Sequence, residues 1–522
     1  MSERKHIKVT YSTLASPDPL LHQYFDEAVD EAKAGFGKTF PMFINGEERF
    51  TSETFEKRSP ADLDLLMGHF QYGSAQDVND AVAAAKAAFP AWSGRPWQER
   101  VAIMRKAADL ISERLFHMGA VMSLEIGKNR LEALGDVEET ADLIRYNCDA
   151  VEQNNNFNRP LLSESDKHHN RSVLKPYGVW AVISPFNFPG ALAGGPSGAA
   201  LVAGNCVVLK PASDTPYTAW LLTECLRDAG VPAGVFNLVT GGGRSVGQVL
   251  VDHPDVAGIT FTGSYDVGMN ILRTFANGRY PRPVIAEMGG KNPTIVSKKA
   301  DLDKAAMGVM RSAFGLQGQK CSACSRVYVD SSVKADFMTK LVDLTSQINV
   351  GDPTKKENWM GPVANKSAFN DYRKFVADLQ EHGDIVFGGK ALEDAGNGYY
   401  VAPTIVDNLP LNHPLWQQEM FLPIVTVAPF DDMDEAMRLA NNVEYGLTAG
   451  FFSEDDAEVQ WWLDNIEAGV LYVNRSGGAT TGAWPGYQSF GGWKGSGSTG
   501  KAAGSFYYIQ QYLKEQSQTI VD

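Results

Sequence analysis

Four short apolar runs determine the topology expected of this chain: GVWAVISP at residues 178–185, NCVVLKP at 205–211, GVFNLVTG at 234–241 and GITFTGS at 258–264. Two stretches of helical periodicity alternate with them, TPYTAWLLTECLRDAG at 215–230 and RSVGQVLVDHP at 244–254. Buried strands separated by helices of this length indicate right-handed parallel βαβ units. The sequence therefore predicts an α/β fold whose ligands bind at the carboxyl ends of the strands.

A second block of the same kind begins near Pro293. Its apolar runs and its helical patterns alternate at 293–298, 301–314, 325–330 and 333–348. Because the alternation repeats the pattern of the first block, we expect a second α/β domain.

Helical patterns also precede the first block. The Ala-rich stretch at 74–92 begins like a capping box, with Ser74 followed by Asp77, and two longer patterns span 97–125 and 131–152. These stretches predict a helical layer. In the tail at 506–522, apolar and polar residues alternate instead, which predicts a strand that pairs with another element or subunit.

Composition excludes several classes of protein. Of the 522 residues, 44% are hydrophobic and 21% are charged, which excludes a disordered or fibrous chain. The net charge of −15 argues against binding to nucleic acid or to an anionic membrane, because both need a basic patch. No apolar run reaches the ~18 residues of a membrane-spanning helix, and the N-terminus lacks a secretory apolar core. Five cysteines fit a disulfide framework poorly, so we expect a cytoplasmic protein.

Two stretches match known motifs, but the surrounding sequence excludes a phosphate-binding loop at one and a redox or zinc site at the other. Residues 495–502, GSGSTGKA, nearly match a phosphate-binding loop, but no buried strand precedes them and Ala502 replaces the Ser or Thr that would hold Mg²⁺. Cys321 and Cys324 have redox spacing, but a second ligand pair for zinc is lacking, so we expect no metal. In FGLQGQKCSACSR, glycines and Lys320 surround Cys321, which favours a thiolate and predicts a nucleophile. An inert buried thiol is the alternative.

Two polar residues near strand ends would give Cys321 chemical partners. Glu287 ends the apolar run of IAEMGGKNP, where a carboxyl group of raised pKa would act as a general base. Asn187 in SPFNFPG would donate its amide to an oxyanion. The alternatives are a solvated glutamate and a turn asparagine.

Two further strand ends suggest a cofactor. Lys210 ends the run NCVVLKP, and Gly263 and Ser264 end another run and open a helix. Such a helix N-terminus suits a phosphate, and a lysine can bond ribose hydroxyls or phosphate. With Glu287 and Asn187, these strand ends predict a dinucleotide site next to a site of covalent catalysis.

Six motifs, in chain order, resemble those of the aldehyde dehydrogenase superfamily between about residues 40 and 515: PFNFP, VVLKPA, FTGS, EMGGKNP, GQKCSACSR and QEMFLPI. Within the superfamily, GQKCSACSR and the stretch at 481–501 resemble the branch that oxidises glutamate γ-semialdehyde, the open form of 1-pyrroline-5-carboxylate. The resemblance implies a Rossmann-type cofactor domain at 1–156 and 178–288 and an α/β catalytic domain at 289–475. It also implies an oligomerisation extension with a substrate-anchor loop at 157–177 and 476–522.

The resemblance further implies a role for each site residue. Cys321 is the nucleophile, Glu287 is the base, and Asn187 forms the oxyanion hole with the backbone N–H of Cys321. The residues expected to hold the cofactor are Ser184, Phe186, Lys210, Ser213, Gly263, Ser264, Gly268, Glu419 and Phe421. The residues expected to bind the substrate are Glu139, Phe186, Lys320, Ser322, Gly482, Ala483 and Phe490. The backbone N–H groups of residues 482 and 483 would hold the substrate carboxylate.

The implied reaction is oxidation of the semialdehyde to glutamate in proline catabolism, through a Cys321 thiohemiacetal and thioester with hydride transfer to NAD. Ser213 stands where many NAD-preferring relatives carry Glu, so use of NADP stays open. We expect a small-molecule aldehyde and further copies of this chain as the partners. The alternatives are a dehydrogenase of another semialdehyde or an aromatic aldehyde, a non-catalytic binding protein on the same fold, and a cysteine hydrolase.

Overall fold

The computed structural model describes residues 7–10, 13 and 17–522. Residues 1–6, 11–12 and 14–16 are outside these ranges. They belong to the predicted cofactor domain and to the N-terminal segment from which we expect no secretory signal. Those parts of the two predictions lie outside the described residues.

The elements are numbered in chain order. The α-helices of the described residues are α1 (Pro19–Ala34), α2 (Ala75–Gly94), α3 (Trp97–Glu113), α4 (Leu115–Ile126), α5 (Arg130–Gln153), α6 (Ala191–Ala203), α7 (Pro216–Ala229), α8 (Gln248–Asp252), α9 (Tyr265–Ala276), α10 (Leu302–Phe314), α11 (Lys334–Ser346), α12 (Lys366–His382), α13 (Met433–Asn441) and α14 (Asp456–Asn465). The strands are β1 (Thr39–Phe40), β2 (Met42–Ile44), β3 (Glu47–Arg49), β4 (Thr54–Arg58), β5 (Leu66–Gln71), β6 (Asn158–Pro160), β7 (His168–Pro176), β8 (Val179–Ile183), β9 (Cys206–Lys210), β10 (Phe236–Leu238), β11 (Val256–Thr262), β12 (Val284–Glu287), β13 (Asn292–Val296), β14 (Cys324–Asp330), β15 (Asp384–Phe387), β16 (Thr404–Asp407), β17 (Ile424–Phe430), β18 (Tyr445–Gly446), β19 (Thr448–Phe452), β20 (Val470–Val473), β21 (Trp493–Lys494) and β22 (Leu513–Val521).

The first seven-stranded sheet has the order β12-β11-β8-β9-β10-β2-β3. The strands from β12 to β10 are all parallel, and β2 and β3 add an antiparallel edge. The four apolar runs form β8 to β11, and these strands are almost continuously buried because helices cover the sheet. The predicted parallel α/β sheet is confirmed.

The second seven-stranded sheet has the order β15-β16-β17-β14-β13-β19-β20. It is parallel except for β15, which pairs antiparallel with β16 at one edge. Separate buried apolar clusters include residues of its helices and strands. The second α/β block predicted from residue 293 onward is therefore present.

Two helical predictions need correction. The pattern over 97–125 forms two helices, α3 and α4, which meet at Arg114 with φ −94° and ψ 12°. The chain bends there because α3 buries one face whereas α4 is buried on every side. The pattern over 244–254 begins as a π-helical turn at Gly243–Gly247 and passes into the short α8. The capping box of Ser74 and Asp77 is confirmed.

The chain tail pairs with an internal arm. β22 runs antiparallel to β7 along residues 513–521 and 168–176, and β6 lies on the other side of β7. The predicted strand at the tail is confirmed, but its pairing with another subunit stays a prediction. None of the helices in the described ranges has the length and apolar character needed to cross a membrane.

Candidate active site

The carboxyl ends of β8, β9, β11 and β12 lie at one edge of the first sheet. In its register, Ile183 pairs with Lys210 and Thr262 pairs with Glu287. β9 and β11 lie on opposite sides of β8, so a crevice opens between the loops that follow β8 and β11. This reversal of strand order is where α/β folds bind dinucleotides.

The crevice contains polar groups that suit a dinucleotide. The Oγ of Ser184 is buried and has no hydrogen-bond partner among the described residues. Ser264 precedes α9 and its side chain does not cap the helix, so the first N–H groups of α9 suit an anion. Lys210 is buried, and this burial lowers its pKa to about 8. These groups fit phosphate and ribose oxygens.

The other predicted cofactor residues lie around the same crevice. The Oγ of Ser213 donates to the carbonyl of residue 241 at 3.2 Å. A Cβ added to Gly268 would lie 2.5 Å from the Sδ of Met288, the residue directly after β12. α9 therefore packs closely on this part of the chain. The rings of Phe186 and Phe421 meet edge-on with centroids 5.8 Å apart. This pair joins the loop after β8 to the segment before β17.

Cys321 follows a turn with an unusual backbone conformation. After α10, Leu316 and Gln317 take positive φ angles of 49° and 55°. Such residues persist only where their surroundings hold them. Glu132 of α5 provides that support, because its carboxylate accepts the Leu316 N–H at 3.1 Å and the Lys320 ammonium at 2.8 Å.

Asn292 holds the other side of Cys321. Its Nδ2 donates to the carbonyl of Cys321 at 2.7 Å and to that of Ala323 at 2.9 Å. Its Oδ1 accepts the N–H of Thr448 at 3.0 Å, which ties the Cys321 loop to β13 and β19. The sequence reasoning missed Asn292 and Glu132, although Asn292 stands inside the motif EMGGKNP.

The groups around Cys321 favour a neutral thiol, whereas we expected a cation that favours the thiolate. Burial raises the pKa of Cys321 to about 12, and Glu419 and Glu287 add to this rise. The backbone N–H groups of Ser322 and of Cys321 itself act in the opposite direction. Lys320 pairs with Glu132 and so does not offer its charge to the sulfur. The cation expected beside the sulfur is thus paired with Glu132, and burial favours the protonated thiol.

Two half-buried carboxyl groups lie close enough to Cys321 to affect its ionisation. Burial raises the pKa of Glu287 to about 8, and its Oε2 has no hydrogen-bond partner among the described side chains and backbone. Burial also raises the pKa of Glu419 to about 7, while its Oε1 accepts the N–H of Gly290 at 2.8 Å. A carboxyl group with a pKa near 8 can exchange a proton near neutral pH, as a general base must.

The loop at 479–484 lies against the residue that follows the nucleophile. The Oγ1 of Thr480 donates to the carbonyl of Ser322 at 2.6 Å, and the Nε1 of Trp484 donates to Asp142 of α5 at 3.0 Å. Gly482 has a φ of 124°, in the region that favours glycine. The predicted carboxylate anchor at 482 and 483 is therefore close to Cys321.

The remaining predicted residues lie on three separate segments. Asn187 is 2% exposed in the loop after β8. Phe490 pairs through its backbone with Ala503. Glu139 is half-buried on α5. Burial raises the pKa of Tyr472, and the nearby Glu139 and Cys321 add to this rise. Tyr472 is a site residue that the sequence reasoning did not identify, since it lies inside an ordinary buried strand.

One group among the described residues brings metal-ligating side chains together. It consists of Asp378 and His382 at the end of α12 and His413, whose ligand atoms lie within 4.8 Å of one another. The Nδ1 of His382 forms a hydrogen bond with the carbonyl oxygen of Asp378 at 2.9 Å and lies 3.0 Å from Asp378 Oδ1, and the Nε2 of His413 lies 3.6 Å from the same Oδ1. None of these residues belongs to the predicted site.

The site can now be compared with those of known proteins. A family model described as "Aldehyde dehydrogenase family" matches residues 48–518. The chain belongs to this family. The aldehyde dehydrogenase-like fold expected from the six motifs is confirmed, with its parallel sheets and the crevice beside β8.

Two curated proteins that resemble the chain carry the same name. The 1-pyrroline-5-carboxylate dehydrogenase of Geobacillus sp. (strain WCH70) is 38% identical over 508 residues, which cover 95% of each chain. The protein of the same name from Geobacillus thermodenitrificans (strain NG80-2) is 37% identical over 95% of this chain and 96% of its own.

Two solved structures of the family are also similar. The 1-pyrroline-5-carboxylate dehydrogenase from Thermus with bound NAD is 31% identical, covers 100% of both chains and gives a TM-score of 0.94. Proline utilization A from Bdellovibrio bacteriovorus is 35% identical with a TM-score of 0.91. The match covers 95% of this chain but spans only 51% of that protein.

Proposed function

We propose that this aldehyde dehydrogenase oxidises glutamate γ-semialdehyde, the open form of 1-pyrroline-5-carboxylate, to glutamate with NAD or NADP. The observation that carries the proposal is the packing of the loop at 479–484 on Ser322, directly after the nucleophile. An aldehyde bound at Cys321 would thereby place a carboxylate at the backbone N–H groups of Gly482 and Ala483. The name shared by the similar curated proteins supports the same substrate.

In the proposed reaction, the sulfur of Cys321 attacks the aldehyde carbon and its thiol proton leaves to a base. The amide of Asn187 and the backbone N–H of Cys321 donate to the oxygen that becomes negative. When bound, NAD or NADP supplies the hydride acceptor. Glu287 then takes a proton from the water that attacks the thioester, and the acid and the free Cys321 are released.

The crevice after β8 and β11 would hold the dinucleotide. Its phosphates would meet the N-terminus of α9 at Gly263 and Ser264, and its ribose hydroxyls would meet Lys210. Ser213 carries no negative charge that would repel a 2′-phosphate, so both NAD and NADP are proposed as cofactors. Glu419 and Phe421 would contact the nicotinamide end.

The proposal extends to the domains and to the assembly. Residues 1–156 and 178–288 would bind the cofactor, and residues 289–475 would carry the nucleophile. The sheet of β6, β7 and β22, formed from the arm and the tail, would join copies of the chain. The free cysteines of the described chain suit a cytoplasmic enzyme.

The substrate is tested with a matched pair of aldehydes. We expect kcat/KM for 1-pyrroline-5-carboxylate to exceed that for 1-pyrroline, which lacks only the carboxylate, by on the order of 100-fold, because unpaired amide donors are costly. Formation of reduced cofactor is the measurement, and Cys321→Ser should abolish it. Equal turnover of the two substrates would contradict the proposed substrate, and activity in Cys321→Ser would contradict the covalent mechanism.

A further inference from the structure

Arg475 lies behind the loop that is proposed to bind the substrate carboxylate. It follows β20, and its guanidinium carbon lies 5.3 Å from the centroid of the Tyr472 ring. Its Nη1 donates to the carbonyl of Gly478 at 3.3 Å and to the carbonyl of Thr481. Across the described residues, no carboxylate lies within ion-pair distance of this guanidinium. Arg475 is thus a partly buried cation whose bonds go to backbone oxygens.

The bond to the Thr481 carbonyl determines where the next N–H points. In a trans peptide, the C=O of one residue and the N–H of the next point in opposite directions. Because Arg475 holds the Thr481 oxygen on its own side, the N–H of Gly482 points away from the guanidinium. A Cβ at Gly482 would lie 2.1 Å from Nη1, so only glycine lets the loop lie directly on this cation.

A second donor faces the same place. The hydroxyl of Tyr472 is buried, its oxygen lies beside the backbone N–H of Ala483, and its proton has no acceptor among the described residues. Besides Arg475, the carboxylate of Glu139 and the sulfur of Cys321 lie near it. A buried hydroxyl whose proton lacks an acceptor costs free energy unless a ligand completes its bonding. A carboxylate oxygen would do so.

We propose that Arg475 is a positioning residue that makes the site selective for aldehydes carrying a carboxylate, and that the Tyr472 hydroxyl binds that carboxylate. This inference rests on the proposed function. Arg475 orients the Gly482 N–H through the Thr481 carbonyl and supplies a positive charge from behind the loop. The amide anchor therefore has a counter-charge, which the sequence alone did not indicate.

Arg475→Met tests the inference because methionine keeps an unbranched apolar stem and removes both charge and donors. We expect kcat/KM for 1-pyrroline-5-carboxylate to fall on the order of 10- to 100-fold, mainly through KM, since a nearby charge in a partly buried site is weakly screened. The value for 1-pyrroline should change little. Arg475→Lys should recover part of the loss, because it restores the charge without the planar fork.

Tyr472→Phe should lower kcat/KM for 1-pyrroline-5-carboxylate by about tenfold and leave 1-pyrroline unaffected. The matched control is Arg438→Met, which removes a 65% exposed arginine of α13 and should not change the selectivity. The rate of Cys321 alkylation in each variant reports whether the nucleophile loop is intact.

The outcomes separate the two proposals. A wild-type enzyme without preference for the carboxylated substrate would overturn the proposed function and this inference together. A wild-type preference that survives unchanged in Arg475→Met would overturn the inference alone. An equal loss on both substrates, with slower or faster alkylation of Cys321, would show a purely structural role and would also overturn it.

Discussion

Burial, with smaller contributions from Glu419 and Glu287, makes the resting Cys321 a poor thiolate. Burial alone disfavours the ionised sulfur, and two nearby carboxyl groups oppose it further. The raised pKa of Glu287, about 8, leaves this carboxyl largely protonated and neutral at pH 7, where it affects the sulfur least. As the pH rises through 8, Glu287 ionises and becomes both a competent base and a stronger obstacle to the thiolate.

This balance predicts the pH dependence of Cys321 alkylation. Because its pKa is raised to about 12, the thiolate fraction and the rate with iodoacetamide should rise steadily from pH 7 to 9, but by less than about tenfold per pH unit while Glu287 ionises. Glu287→Gln removes one opposing charge and should raise the rate at pH 9. Peptide mapping by mass spectrometry identifies the labelled cysteine. A plateau below pH 8 would contradict the protonated resting thiol.

At the scale of elements, the turn between α10 and β14 depends on α5. Glu132 binds both the backbone at Leu316 and the side chain of Lys320, so one carboxylate spans the strained residues that precede Cys321. Its own position is held by Asn129, which donates to the same carboxylate at 3.1 Å. The loop of Cys321 is therefore held by a helix that lies far away in sequence.

Glu132→Gln tests this dependence. The amide keeps the size of the side chain but loses the charge that holds Lys320, so we expect kcat to fall about tenfold with a smaller change in KM. The control is Glu138→Gln on the same helix, whose carboxylate binds Ser112 and Arg145 instead. Equal kcat values in the two variants would contradict a positioning role for Glu132.

At the scale of the whole molecule, the chain end completes the first domain. The hydroxyl of Tyr512 donates to Tyr508 at 2.9 Å and accepts from Thr260 at 3.0 Å, and Thr260 in turn accepts from the Nε1 of Trp180 at 2.9 Å. All four side chains are buried. The tail therefore contributes to the core of the first sheet as well as pairing with β7.

Tyr512→Phe should lower the free energy of unfolding by ~1 to 3 kcal/mol, because it leaves the hydroxyls of Thr260 and Tyr508 short of a buried partner. The midpoint of chemical unfolding is the measurement. Tyr507→Phe is the control, since Tyr507 is 58% exposed. Equal losses in the two variants would show that the buried network contributes nothing.

Sequence patterns predicted what is local. β8 to β11 were predictable because strands buried on both faces are continuously apolar, and Ser74 with Asp77 marked a helix start through a three-residue spacing. Long-range pairings were not predictable. Lys320 meets Glu132 across 188 positions, and the break at Arg114 depends on where α4 packs. The motifs predict Cys321 and Glu287 as site residues but could not show the burial that shifts their pKa values.

The anchorage of residues 508–513 in the first core has a consequence for synthesis on the ribosome. Every strand of the first sheet lies before residue 288, so those strands emerge while the second sheet is still untranslated. The nascent domain must wait for about two fifths of the chain before Tyr508, Ile509, Tyr512 and Leu513 arrive to fill its interior. Until then it exposes an apolar gap, and we expect chaperones to bind ribosome-held intermediates at that gap.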